Sequence, residues 1–73
     1  MNIWVRTQDK QILKQVSTFK IVEDEDVCVY LIQDQDNEIL GVYETQKRCE
    51  EILNDIENYL LIEEKFIYEM PKE

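Results

Sequence analysis

The sequence predicts an α+β fold: a small antiparallel sheet of about four strands packed on one long C-terminal helix, followed by an extended tail or a short fifth strand. Short β-branched and aromatic runs recur as far as Tyr43, with links too brief for parallel crossovers. After Thr45 the apolar residues switch to spacings of three and four, the period of a helix. No repeat, low-complexity stretch or linker interrupts the 73 residues, so residues 1-73 read as a single domain.

Ile3-Trp4-Val5-Arg6 reads as the first strand. Thr7-Gln8-Asp9-Lys10 breaks it, with Asp9 placed to cap a single helical turn carrying Ile12 and Leu13. Ser17 to Glu23 alternates again, Phe19 and Ile21 on one face and Thr18, Lys20 and Val22 on the other. Glu23-Asp24-Glu25-Asp26 reads as a turn, because four adjacent carboxylates repel and need water. Val27 to Ile32 is continuously apolar, which predicts a central strand covered on both faces. Asp34-Gln35-Asp36-Asn37 makes the next turn, and Glu38 to Glu44 the fourth strand, with Ile39, Leu40, Val42 and Tyr43.

Thr45 is the natural N-cap of the long helix. Cys49, Ile52, Leu53, Ile56, Tyr59 and Leu60 form its apolar stripe, with Glu50, Glu51, Asp55 and Glu57 facing water. The stripe fails at Glu63-Glu64. Phe66, Tyr68 and Met70 then alternate in an extended segment ended by Pro71, the alternative being a helix that continues to about Phe66. One helix stripe covers one sheet face, yet the strands carry apolar residues on both. A symmetric partner is the economical cover, which predicts self-association as a dimer or higher oligomer.

Charge is partitioned along the chain. Residues 1–20 hold Arg6, Lys10, Lys14 and Lys20 against Asp9 alone, residues 21–46 hold eight carboxylates and no cation, and the total is −9. Such a chain repels nucleic acid and anionic membrane, so direct binding to either is not expected. A bound anion must meet a local basic spot. No signal-peptide pattern and no bilayer-length apolar run is present, which predicts a reduced cytoplasmic setting with Cys28 and Cys49 as small hydrophobes.

Much enzyme chemistry is excluded. The absence of His removes Ser-His and Cys-His nucleophile pairs and His-based metal sites. Gly41 alone cannot build a phosphate-cradling loop. Asp34-x-Asp36-x-Glu38 opens like a calcium loop, but the sixth and twelfth places hold Ile39 and Thr45 instead of Gly and Glu. No catalytic residue, metal or cofactor is expected.

Two cations, Lys47 and Arg48, stand in the first helical turn, where they oppose the macrodipole. An anion docked on that turn would explain them, and so would pairing with Glu44, Glu50 or Glu51. An extended backbone would point Arg6, Gln8 and Lys10 one way, while Trp4 and Tyr43 offer rings for stacking or for packing.

Ile3-Trp4-Val5-Arg6-Thr7-Gln8-Asp9-Lys10, Leu40-Gly41-Val42-Tyr43 with Thr45 and Arg48, Glu51-Ile52-Leu53 with Ile56, and Tyr68-Glu69-Met70-Pro71 cover most of the chain. Together they resemble a family of short proteins of phages, prophages and Gram-positive bacteria that has no established activity. The chain departs from that pattern at Cys49, where the family favours Ala. The resemblance implies a small intracellular accessory protein of a phage or mobile element. In that setting such proteins counter host defence by blocking an enzyme or sequestering a nucleotide signal.

Two functional classes follow. In one, a homo-oligomer holds a small, nucleotide-like anion through Trp4, Arg6, Gln8, Lys10, Tyr43, Lys47 and Arg48. In the other, an acidic face of Glu23, Asp24, Glu25, Asp26, Asp34 and Asp36 docks on a basic or nucleic-acid-binding host protein. A structural subunit without a ligand is the third alternative.

Overall fold

The chain opens with a pair of strands. A computed structural model describes residues 3–62 and 67–73. In it, β1 (Ile3–Arg6) lies antiparallel to β2 (Leu13–Val16), with Ile3 opposite Val16 and Arg6 opposite Leu13. The helical turn expected around Ile12 and Leu13 is therefore corrected to a hairpin. Asp9 ties its loop instead of capping a helix. The Thr7 hydroxyl donates to its carboxylate at 2.6 Å and the Gln11 N–H at 3.0 Å, while the Thr7 N–H donates to the Ile12 carbonyl at 2.9 Å. A lone helical turn fixes several dihedrals for one hydrogen bond. Pairing with β1 satisfies a whole row of backbone groups instead.

β3 (Lys20–Asp24), β4 (Val29–Gln33) and β5 (Ile39–Tyr43) form the expected antiparallel meander, in that order. Pairing runs on to Asp24 opposite Val29, so Glu23 and Asp24 belong to β3 and not to the acidic turn. At a sheet edge their carboxylates keep their water, which is why the run of four does not break the strand. Val27, expected in the central strand, sits on the turn and is 62% exposed. That turn closes at Cys28 in the left-handed region, φ 56°. A side chain there costs about 1 kcal/mol, so Cys28→Gly is expected to stabilise the fold by roughly 0.5 kcal/mol after its entropic penalty, read from urea melts.

Between β4 and β5 the register shifts: Ile32 faces Gly41 but Gln33 faces Ile39, which leaves Leu40 as an extra residue. The bulge explains why the consecutive residues Leu40 and Gly41 are both buried.

α1 (Gln46–Ile62) starts where expected, with the Thr45 hydroxyl accepting the Arg48 N–H at 3.1 Å. Cys49, Ile52 and Ile56 are buried, Leu53 and Tyr59 half-buried, and Glu50, Glu51, Asp55 and Glu57 exposed. The Leu60 side chain, Glu63, Glu64 and Phe66 lie outside the described residues. The tail forms β6 (Tyr68–Glu69), parallel to β1 and completing a β2-β1-β6 sheet. Tyr59 meets Tyr68 edge-on, with ring centroids 5.6 Å apart. The core draws Val5 and Val16 from one sheet, Ile32, Leu40 and Tyr43 from the other, Cys49, Ile52 and Ile56 from α1, and Met70 from the tail.

Register assigns the two faces of the β3-β4-β5 sheet. Ile21, Ile32 and Gly41 make one cross-strand row; Ile32 and Gly41 are buried and Ile21 packs on the core. The adjacent row, Val22, Leu31 and Val42, points away from that core, and Val42 is 40% exposed. β4 is central in its sheet, as expected, and within one chain α1 covers one of its faces. α1 packs on the sheet from the core side, while Val29 and Leu31 on the other side remain partly exposed.

Candidate functional site

A cleft lies where β5 hands over to α1. It holds about 470 Å³ and is lined by Val42, Tyr43, Glu44, Thr45, Arg48, Lys72 and Glu73. Three segments build it: the end of β5, the first turn of α1, and the tail that returns past both. The Tyr43 hydroxyl donates to the Pro71 carbonyl at 2.7 Å, and Arg48 Nε donates to the Glu73 carbonyl at 2.8 Å. A second Arg48 nitrogen lies 3.4 Å from a Glu51 carboxylate oxygen. Arg48 thus pairs with Glu51, one of the three carboxylates expected for it, and with a tail carbonyl, while half-exposed.

Burial raises the pKa of Tyr43, Cys49 and Tyr68, and the nearby Arg48 charge only partly opposes it. These groups are therefore neutral at physiological pH, and of the three Tyr43 lines the cleft.

The other sequence candidates do not gather here. Gln8 serves as a structural clamp. Its backbone N–H donates to the Leu40 carbonyl at 2.8 Å, its Oε1 accepts the Val42 N–H at 2.8 Å, and its Nε2 donates to the Val42 carbonyl at 3.0 Å. The same Nε2 reaches the Lys72 carbonyl at 2.7 Å and the Pro71 carbonyl at 3.3 Å. One amide thereby stands in for a strand along β5 and anchors the tail. Gln8→Ala is expected to cost about 1 kcal/mol and to accelerate proteolysis after Tyr68, because the Val42 N–H and the carbonyls of Val42, Pro71 and Lys72 lose their shared partner.

The extended run ends at Arg6 and turns through Gln8 and Asp9, so Arg6, Gln8 and Lys10 do not share one strand face. Lys10, with φ of 64°, has its ammonium 3.7 Å from Glu69, the residue paired with Arg6 across β1 and β6. Trp4 and Arg6 share the outer face of β1, opposite the buried Val5; Trp4 is 48% exposed. Tyr43 is 3% exposed, so its ring is wall and core and offers no stacking platform. Lys47 is exposed beside the cleft without lining it. Of the seven ligand candidates, Arg48 and Tyr43 line the cleft and Gln8 braces it. Lys72 was missed because one cation after Pro71 carries no pattern; only the fold brings the tail back to Arg48.

The acidic candidates also divide. Glu23, Glu25, Asp26 and Asp36 are exposed and Asp24 half-buried, but Asp34 is fully buried and cannot face a partner. It is paired with the Lys14 ammonium, which also lies 2.9 Å from Glu38 and 3.6 Å from Asp36. The Asp34 carboxylate accepts the Asp36 N–H at 2.8 Å and the Glu38 N–H at 3.0 Å. Burial alone would raise its pKa; Lys14 and the two N–H donors outweigh that and hold it below the ordinary value of 3.8. Lys20 reaches the same turn through Asn37. The acidic turn is thus held by two lysines from preceding strands. No group of three or more potential metal ligands occurs among the described residues.

Comparison with known proteins finds no matching family model, curated protein or solved structure. No described helix is long and apolar enough to cross a membrane.

Proposed function

We propose that this chain is a non-enzymatic accessory binding protein that holds a small, nucleotide-like anion in the cleft at the start of α1. The observation that carries the reading is that Arg48, in the first turn of α1, and Lys72, from the tail, line one cleft beside Glu44 and Glu73 on a chain of net charge −9. About 470 Å³ lies within the usual range of small-molecule sites. A phosphate would meet Arg48 and the partial positive charge of the helix terminus, exchanging the neutral Glu73 carbonyl for a charge-assisted bond. Val42 and Tyr43 supply an apolar wall for the rest of the ligand. The resemblance to phage-type proteins suggests what sequestration would serve: removal of a nucleotide signal used in host defence.

The test is a set of thermal melts with mono-, di- and cyclic nucleotides. A ligand at one hundred times its Kd adds about 2.7 kcal/mol of stability, a shift of several degrees. Arg48→Ala is expected to abolish that shift while leaving the ligand-free melt within about 0.5 kcal/mol, as for an exposed ion pair. Flat melts of the unmodified chain across the panel would sink the reading.

One observation favours a second reading, an acidic inhibitor of a basic or nucleic-acid-binding host protein. From Cys49 to Ile62 the helix carries Glu50, Glu51, Asp55 and Glu57 and no cation, all four exposed. With Glu23, Glu25 and Asp26 these carboxylates would dominate long-range attraction of a cationic surface. Neutralising Glu23–Asp26 should leave nucleotide-dependent melting unchanged under the first reading and abolish partner capture under the second.

A further inference from the structure

We propose that β3 is the self-association edge of this protein, pairing antiparallel with β3 of a second copy about a two-fold axis at Val22. The proposal is independent of the anion site. It begins with the sheet edges. The free side of β5 is filled by Gln8, as described above, and β6 is only two residues long. β2 offers four residues, Leu13–Val16, and its Lys14 is already committed to Asp34. β3 is the longest open edge: five residues, hydrogen-bonded to β4 on one side and to no strand on the other among the described residues. It contains no proline, and the pairing irregularity of this sheet lies between β4 and β5 instead. An edge without such protection is a template for another strand.

The sequence of the edge, Lys20-Ile21-Val22-Glu23-Asp24, is complementary to itself when reversed. With Val22 opposite its own copy, each Lys20 lies opposite the other copy's Asp24, and Ile21 opposite Glu23. Residues directly opposite share a face, so two Lys–Asp pairs flank a Val–Val contact on the outer side of the sheet. Both charged groups have capacity to spare. Lys20 holds Asn37 with one of three ammonium hydrogens, and Asp24 takes the Asp26 N–H on one carboxylate oxygen.

The apolar row on that face gives the pairing a second basis. Val42, Leu31 and Val22 run across the three strands to the β3 edge and stop there. A second copy continues the row through its own Val22, Leu31 and Val42, making six strands with one uninterrupted apolar stripe. Both helices then lie on the opposite face and do not obstruct the pairing. Every other register of this edge that keeps the two-fold axis places Val22 beside a charge or leaves both lysines without a carboxylate.

Sedimentation of the full chain at about 0.15 M salt, where long-range repulsion between two acidic copies is screened, tests this directly. The unmodified chain is expected to dimerise reversibly. K20D, acidic at both positions, and D24K, basic at both, should each weaken self-association by about tenfold or more. Mixed in equal amounts they should recover a 1:1 heterodimer, because every cross-strand pair is then complementary. A chain that stays monomeric to roughly 100 μM, or a dimer indifferent to both substitutions, overturns the proposal. Should either variant unfold, mild oxidation of V22C in a C28S background decides. A disulfide-linked dimer is expected, since Val22 meets itself at the axis, and failure to cross-link overturns the assignment.

Discussion

Asp34→Ala is expected to remove about 3 kcal/mol of stability, most of what a domain this small possesses. The carboxylate is fully buried, binds Lys14, and closes its own turn through the N–H groups of Asp36 and Glu38. Its loss leaves an ammonium facing an apolar methyl and two backbone donors without acceptors. Asp34→Asn is expected to cost less, because the amide oxygen still accepts those N–H groups. Urea unfolding of both variants at pH 7 measures the difference.

The same residue sets an acid limit. Its folded-state pKa lies below the ordinary 3.8, so its stabilisation is complete above that value and is lost as pH falls through the lower folded-state value. The stability gap between the unmodified chain and Asp34→Ala should therefore shrink below about pH 3.8 and stay constant from pH 5 to 8. Comparing the two chains at each pH largely cancels the opposing effect of global charge, whose repulsion eases as carboxylates protonate. Lys14 has the opposite sign. Its pKa is raised from 10.5, first by its bond to Asp34 and then by Glu38, so its contribution fades only in strong alkali. A gap that widened on acidification would contradict the buried ion pair.

Gly41→Ala is the second large effect, about 2–3 kcal/mol through overpacking. A Cβ at position 41 would lie 2.6–2.9 Å from the hydroxyl, Cε2 and Cζ of Tyr43. That ring cannot swing aside cheaply. It is buried, and its hydroxyl holds the Pro71 carbonyl. Glycine is thus required here by the close approach of Tyr43, not by its own backbone angles. Tyr43→Phe keeps the ring and loses one hydrogen bond, so about 1 kcal/mol is expected. If Gly41→Ala proved no worse than Tyr43→Phe, the ring would have to have room to move. Because the tail, Tyr43 and Arg48 share one cleft, Gly41→Ala should also weaken any nucleotide-dependent stabilisation, a coupling that Tyr43→Phe shows only in part.

Local pattern carried most of the fold. The meander, the Thr45 cap and the buried face of α1 each follow from spacing and residue type within a short window. β2 was not legible that way. Leu13-Lys14-Gln15-Val16 alternates for only four residues, and its lysine points to the protein side, where pattern reading expects an apolar residue. Lys14 is tolerable there only because Asp34, twenty positions later, supplies a buried counter-charge. Each half looks like a surface residue until the fold joins them.

The candidate site shows the same division. Residue types alone determined that the chain has no His for nucleophile pairs or metal sites, that its net charge is −9, and that its strands have two apolar faces. Tertiary structure decided which cations meet. It sent Lys10 to Glu69 and Lys14 to Asp34, set Gln8 along β5, and brought Lys72 to the cleft that Arg48 lines. The reason is physical. Helix period, strand alternation and net charge are sums over neighbouring residues, whereas a charge finds its partner through space, and that distance exists only once the chain has folded.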